Sequence, residues 1–130
     1  MDAKRTCLLG PAFGLALAFG GPLAAQPQPA TVPGFDSASI VYRCAGGAKL
    51  PVVYLNIRGG DSFATVYVNG RLALMRAGPT GSGANYVPVD AQAGYRWHVK
   101  GDVGSLWFRA AEPAAQESMM LQDCRAQRPQ

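Results

Sequence analysis

The residues able to do chemistry in this chain are few, and two of them stand in suggestive settings. Ser82 lies between two glycines in Gly81-Ser82-Gly83, where small neighbours let the backbone approach a partner closely. Lys100 ends a β-rich stretch just before Gly101-Asp102, so its mobile ammonium can reach into a cleft. Together the two groups can bind an acid, the ammonium as an ion pair and the hydroxyl as donor or acceptor. The alternative for Lys100 is a solvated charge at a strand edge.

Catalysis needs a base, an acid or a metal beside these groups, and the chain offers little of that kind. Ser82 is not part of a nucleophile elbow, because that motif has glycines two residues before and two after its serine. His98 is the only histidine and can in principle act as a base, although a lone histidine near a strand end is more often a surface or packing residue. We therefore predict that the protein is not an enzyme.

The carboxylates do not suggest a second catalytic group. Most of them stand at predicted turns or in the C-terminal tail, where acidic residues serve turn formation and solvation. They are Asp36, Asp61, Asp90, Asp102, Asp123, Glu112 and Glu117. No cofactor or metal is expected, because metal sites draw on several histidines or on CxxC spacings that are not found here.

The elements that position Ser82 and Lys100 are predicted to be short antiparallel strands. Asn69-Gly70 separates two β-rich runs and predicts a tight type I′ hairpin, because both residues tolerate positive φ. Within 50–57 the apolar side chains alternate, with Val53, Leu55 and Ile57 on one face. The predicted strands are 40–43, 50–57, 62–68, 71–76, 84–89, 95–100, 103–109 and 118–121.

Alternation in 95–100 points Tyr95, Trp97 and Val99 to the core, while Arg96, His98 and Lys100 face outward. No stretch shows a convincing helical period. Seven or eight short strands indicate an all-β domain, either a small closed antiparallel barrel or a sandwich, and closure would remove exposed strand edges.

The N-terminal segment predicts export. Lys4 and Arg5 precede an apolar run from Cys7 to Gly21, and small residues up to Ala25 suit cleavage by signal peptidase. A membrane anchor is the alternative, but the run is short for a bilayer span and contains Pro11 and four glycines. Cys7 precedes the apolar run instead of following it, so we expect no stable membrane anchor. The expected location is the periplasm, or secretion beyond it.

The predicted organisation is a signal peptide (1–25), a flexible Pro-rich linker (26–36), one barrel domain (37–125) and a loose tail (126–130). Cys44 and Cys124 are then an even pair in an oxidising compartment, which predicts one disulfide; two unpaired buried thiols are the alternative. A disulfide between these cysteines closes a loop of about 80 residues, which stabilises the fold by about 4–5 kcal/mol in the chain-entropy model.

Size and composition exclude several classes of protein. A chain of 130 residues with 48% apolar and 15% charged residues is too short for a multi-domain enzyme and too weakly charged for a disordered chain. After loss of residues 1–25, ten basic and seven acidic residues remain, a net charge of +3. The basic residues are dispersed, so no nucleic-acid partner is expected.

Four short segments, taken in order, carry a resemblance. They are Tyr42-Arg43-Cys44, the loop Thr80-Gly81-Ser82-Gly83-Ala84-Asn85-Tyr86, the turn Trp97-His98-Val99-Lys100-Gly101-Asp102, and Cys124. In this order, behind a signal peptide and within an all-β pattern, they resemble the MliC/PliC family of bacterial periplasmic inhibitors of c-type lysozyme.

The resemblance implies an eight-stranded antiparallel barrel in which Ser82 and Lys100 insert into the cleft of lysozyme. That cleft holds two carboxylates, and the Lys100 ammonium is expected to pair with the ionised one, blocking substrate and protecting peptidoglycan without turnover. The expected lysozyme-binding set is Ser82, Lys100, Gly81, Gly83, Thr80, Tyr86 and His98, with Tyr86 and Trp97 also suited to supporting roles. The alternative function is a periplasmic barrel that binds a glycan or envelope protein. Whether the protein forms a homo-oligomer is left open by the sequence.

The sequence departs from the family pattern at three places. Trp97 lies three residues before Lys100, whereas the family tryptophan usually lies two before, and His98 holds that position. Extra residues around Val89 to Ala93 lengthen the stretch between Ser82 and Lys100, and Thr80 replaces a serine.

C-type lysozymes are basic, so long-range repulsion by this basic chain should oppose encounter.

Overall fold

The computed structural model describes Gly10, Gly14, residues 33–90 and residues 93–128. The chain divides into two units, Met1–Ala30 and Thr31–Gln130. Apart from the two glycines, the predicted signal peptide lies outside the described residues, as does most of the predicted linker. Within the described part of the chain, no helix is long and apolar enough to cross a membrane.

The second unit is a closed antiparallel barrel in which each strand pairs with the next and β1 pairs with β8. This confirms the predicted all-β, eight-stranded fold. A single 3-10 turn, Ala45–Gly47, follows β1. The strands are β1 (Phe35–Arg43), β2 (Lys49–Ile57), β3 (Ser62–Val68), β4 (Arg71–Gly78), β5 (Ala84–Pro88), β6 (Gly94–Lys100), β7 (Val103–Arg109) and β8 (Ser118–Gln127).

The first and last strands extend beyond the bounds expected from sequence. β1 already begins at Phe35, which pairs with Ile57, although residues up to 36 were expected in a linker. β8 continues to Gln127, which pairs with Val41, although the tail was expected from 126. Pairing with β2 explains the early start of β1, and the pairing with β1 that closes the barrel explains the late end of β8, because both satisfy backbone groups that local sequence leaves without partners.

Strand patterning follows the sequence closely. Asn69 and Gly70 have φ of 50° and 74°, which confirms the predicted hairpin with two positive-φ residues between β3 and β4. In β2, Leu50, Val52 and Tyr54 are buried, so the alternating face that holds Val53 lies on the outside of the barrel. Pleated strands place successive side chains on opposite faces, which is why one row fills the interior.

The interior is organised around Trp97, which is fully buried. Its indole Nε1 donates to the hydroxyl of Tyr54 (2.8 Å), and that hydroxyl also lies 2.9 Å from the hydroxyl of Tyr42. The Tyr42 ring meets the indole edge to face, with centroids 4.9 Å apart. Burial, followed by the hydrogen bond with Tyr42, raises the pKa of Tyr54 well above its ordinary value, and burial also raises the pKa of Tyr86.

A disulfide and a close contact at a glycine hold β8 and β7 against this interior. Cys44, which follows β1, forms a disulfide with Cys124 in β8, as predicted. Gly104 in β7 lies directly against the Trp97 indole, and an added Cβ would collide with the six-membered ring. Trp97 therefore fills the barrel only because residue 104 has no side chain.

Candidate functional site

The Ser82 loop and Lys100 lie at the same end of the β5–β6 hairpin. Ala84 pairs with Val99 and Asn85 with His98, so Gly83 falls beside Lys100 just beyond the last pair. Gly83 has a φ of 71°, and an added Cβ would collide with the Val99 carbonyl and lie 3.1 Å from the Lys100 Cβ. A glycine is required there, because both the positive φ and the close approach exclude a side chain.

The extra residues between Ser82 and Lys100 do not separate them. They lie around Val89 to Ala93, in the connection between β5 and β6, while Ser82 precedes β5 and Lys100 ends β6. In an antiparallel hairpin the connection occupies one end and the free strand ends occupy the other. The lengthened segment is therefore at the far end of the hairpin from the Ser82 loop.

Two contacts hold the backbone of the Ser82 loop. The Thr80 hydroxyl donates to the carbonyl oxygen of Ser82 over 2.9 Å, and Nε2 of His98 lies 3.4 Å from the same oxygen. Residues Thr80 to Gly83 are exposed, as is Lys100, while His98 is half-buried. The loop thus presents the Ser82 side chain to solvent while its carbonyl is tied inward.

A shallow groove of about 400 Å³ adjoins Lys100 on the side of β7 and β8. β8 carries two more residues than β7 between their paired positions, and within this irregular stretch Asp123 has a φ of 49°. The groove is lined by His98, Lys100, Val103, Gly104, Ser105, Met119, Gln122 and Asp123. Sequence reasoning did not place Gln122 and Asp123 near the site, since nothing in the local pattern marks a bulge.

Charge around the site leaves Lys100 available. Asp102, in the turn after Lys100, pairs with Arg128 over 2.7 Å. Among the described residues, Lys100 itself takes part in no ion pair. The ammonium is therefore exposed beside the Ser82 loop, and the acid in the turn that follows Lys100 is engaged elsewhere.

The structure thus brings together most of the predicted binding residues and separates out one. Thr80, Gly81, Ser82, Gly83, His98 and Lys100 share one end of the barrel wall. Tyr86 belongs to the core, with 7% of its surface exposed, and packs against Tyr54. Its position supports the hairpin from inside, and little of its surface can meet a partner.

In the described part of the chain, no three His, Cys, Asp or Glu side chains gather as metal ligands would.

Comparisons with known proteins place this geometry in context. Residues 42–115 match the family model named MliC, "Membrane-bound lysozyme-inhibitor of c-type lysozyme". Among curated proteins no sequence matches.

Two solved structures share the fold. PliC-St, the periplasmic lysozyme inhibitor of C-type lysozyme from Salmonella typhimurium, is 23% identical with a TM-score of 0.57, over 70% of this chain and 98% of that one. Pseudomonas aeruginosa MliC, solved in complex with hen egg white lysozyme, is 28% identical with a TM-score of 0.54, over 80% of this chain and 99% of that one.

The matched segment contains the Ser82 loop, Lys100 and the strands that position them. It covers more than half of the chain. The matching family is one of inhibitor proteins, not enzymes, which confirms the expectation of a role without catalysis. The chain therefore belongs to the MliC family of c-type lysozyme inhibitors, as the resemblance in its motifs indicated.

Proposed function

We propose that this protein inhibits c-type lysozyme by inserting Ser82 and Lys100 into the active-site cleft. The observation that carries the proposal is the contact of Gly83 with Val99 and Lys100, which keeps the serine loop and the lysine on one barrel edge. The short hydroxyl side chain of Ser82 and the long, flexible side chain of Lys100 are both exposed on adjoining segments, and together they would form a projection. A projection of this kind suits a cleft, whereas the dispersed charges elsewhere on the barrel do not.

The chemistry of the insertion is electrostatic. A glycosidase of this kind uses two carboxyl groups, one protonated as the acid and one ionised. The ammonium of Lys100 would pair with the ionised group, and the hydroxyl of Ser82 would donate to or accept from the pair. Each ion loses hydration on binding, so the net gain depends on close geometry in the desolvated cleft. The contact excludes the sugar chain and involves no turnover.

The partner and the compartment follow from the relatives. Because the Pseudomonas aeruginosa protein was solved with hen egg white lysozyme, we take a c-type lysozyme as the partner of this chain. The Salmonella typhimurium relative is periplasmic, which supports a periplasmic location here and a role in protecting peptidoglycan. The N-terminal sequence, with its basic residues and apolar run, agrees with export.

The first test is inhibition of cell-wall lysis by hen lysozyme, followed as turbidity. The unaltered protein should slow lysis, and Lys100→Ala should weaken inhibition by about thirtyfold or more, since truncating one partner of a buried charge pair has effects of roughly 2 kcal/mol upward. Lys49→Ala is the matched control, because Lys49 is an exposed lysine at the start of β2. Equal inhibition by the two variants would remove Lys100 from the site, and no inhibition by the unaltered protein would refute the function.

A further inference from the structure

We infer that His98 is a positioning residue that ties the Ser82 loop to the barrel wall and makes binding to an acidic cleft pH-dependent. The second half of this inference rests on the proposed function, while the first half does not. Nε2 of His98 lies 3.4 Å from the carbonyl oxygen of Ser82. His98 is outward-facing on β6 and stands in register with Asn85 of β5, so the imidazole lies directly under the loop.

The other bond to this carbonyl cannot fix the loop in place. It comes from Thr80, which belongs to the same loop and would move with it. His98 instead belongs to a β-strand that is paired on both sides, with β5 and with β7. The imidazole is thus the side chain that connects the Ser82 carbonyl to the rigid barrel. A carbonyl only accepts, so the ring nitrogen must donate to it.

Protonation of His98 makes this connection stronger. Neutral imidazole carries one N–H, so only one of its two tautomers donates from Nε2, whereas imidazolium donates from both nitrogens. A charged donor also forms a stronger hydrogen bond than a neutral one. Imidazole is the side chain that ordinarily changes charge between about pH 5 and 8. Acidification that adds a proton to the imidazole should therefore order the loop.

The charges that face His98 show how a bound partner would act on it. Lys100 and Arg96 are its outward neighbours on β6, and Arg96 lies 2.9 Å from Glu117. Its neighbours on β5 and β7, Asn85 and Ser105, are uncharged. Asp123 of β8 lines the same groove.

Two cations thus accompany His98 on its strand, and a carboxylate lies at the groove. An acidic cleft placed over Lys100 would add negative charge beside the imidazole and favour its protonated form. Binding and protonation then support each other, which is the ordinary linkage between a ligand and a proton.

The loop contact is tested without lysozyme, by amide hydrogen exchange of residues 80–83. In the unaltered protein, exchange of the Ser82 and Gly83 amides, corrected for its intrinsic pH dependence, should slow as the pH falls from 8 to 5.5. His98→Gln keeps an N–H at the end of the side chain but does not titrate, so protection should stay and its pH dependence should vanish. His98→Leu should lose the protection. Thr65→Leu, outward on β3, is the control for adding an apolar side chain to the barrel surface.

The pH dependence is tested by measuring Kd for immobilised hen lysozyme at pH 8 and pH 5.5. The lysozyme carboxylates also titrate in this range, so the comparison is the ratio of the unaltered protein to His98→Gln at each pH. The Kd of the unaltered protein divided by that of His98→Gln should be about threefold to tenfold smaller at pH 5.5 than at pH 8, because only the unaltered protein gains affinity from the histidine.

Three outcomes separate the claims. Equal ratios at both pH values, with binding intact, would overturn the pH-dependent role of His98 alone. Unchanged loop exchange in His98→Leu would overturn its positioning role. Absence of binding by the unaltered protein at either pH would instead refute the proposed function, while leaving the loop experiment valid.

Discussion

The hydroxyl of Tyr54 is the residue-scale feature on which the interior depends. It accepts from the Trp97 indole and exchanges a hydrogen bond with Tyr42, so three aromatic side chains share one polar point in an otherwise apolar barrel. A buried donor left without a partner destabilises a fold more than the bond itself contributes. Sequence reasoning placed Trp97 inside correctly, but a cluster of two tyrosines and one tryptophan assembled from β1, β2 and β6 carries no local signal.

Tyr54→Phe should therefore lower the free energy of unfolding by about 1–3 kcal/mol, because the Trp97 N–H and the Tyr42 hydroxyl lose their common partner. Urea unfolding at neutral pH measures this change, and Tyr67→Phe, at a half-exposed tyrosine, is the control. A stability loss no larger than that of the control would contradict the role of the shared hydroxyl.

Tyr54 and Tyr86 give the unfolding free energy a pH dependence at the alkaline end. Their folded pKa values lie above the ordinary tyrosine value of 10.0, so the unfolded chain loses its phenolic protons first. The stability they contribute is complete below about pH 10 and declines as the pH rises beyond it. A smaller alkaline decline in Tyr54→Phe than in the unaltered protein would support this.

At the scale of elements, the β5–β6 hairpin determines where the site lies. Sequence predicted both strands, the Asn69-Gly70 turn and the outward face of His98 and Lys100, since all of these rest on alternation and turn chemistry. It did not fix the register of β5 against β6, and hence the contact between Gly83 and Lys100. Nor did it predict the bulged stretch around Gln122 and Asp123, because bulges depend on pairing with a distant strand.

The hairpin contact makes Gly83 the most sensitive position of the loop. Gly83→Ala should displace the loop and weaken lysozyme inhibition by about tenfold or more, because the new Cβ meets the Val99 carbonyl at a positive φ. Gly59→Ala, in the turn between β2 and β3, is the matched control, since Gly59 also has a φ of 71° but a Cβ there has open space around it. Inhibition constants for the two variants measure the effect, and equal values would contradict the assignment of Gly83 as the joint between loop and strand.

At the scale of the whole molecule, closure and crosslinking keep the site in place. β1 pairs with β8, and the disulfide between Cys44 and Cys124 joins residues 80 positions apart. Sequence predicted the crosslink from cysteine number and compartment, yet it left barrel and sandwich open until the family resemblance was considered. The early start of β1 depends on its pairing with β2, and the late end of β8 depends on its pairing with β1. The composition of these two segments does not reveal either pairing.

Net charge at this scale makes a kinetic prediction. The chain without its first 25 residues carries +3, and c-type lysozymes are basic, so long-range repulsion should slow their encounter. Raising salt from about 0.01 to 0.15 M shortens the Debye length from roughly 30 to 8 Å and should increase the association rate constant. Stopped-flow or surface-binding kinetics at several salt concentrations measure this rate, and marked slowing by salt would argue for attraction between the two proteins.

Occupancy of the lysozyme cleft is the central claim, and competition tests it most directly. Hen lysozyme is incubated with a chitin oligosaccharide that fills the cleft, and binding of the unaltered protein is measured by surface capture as the sugar concentration rises. The account predicts that the sugar displaces the protein competitively, with the apparent Kd rising in proportion to the sugar concentration once the cleft is saturated. Simultaneous binding of sugar and protein, with an unchanged Kd, would contradict insertion of Ser82 and Lys100 into the cleft.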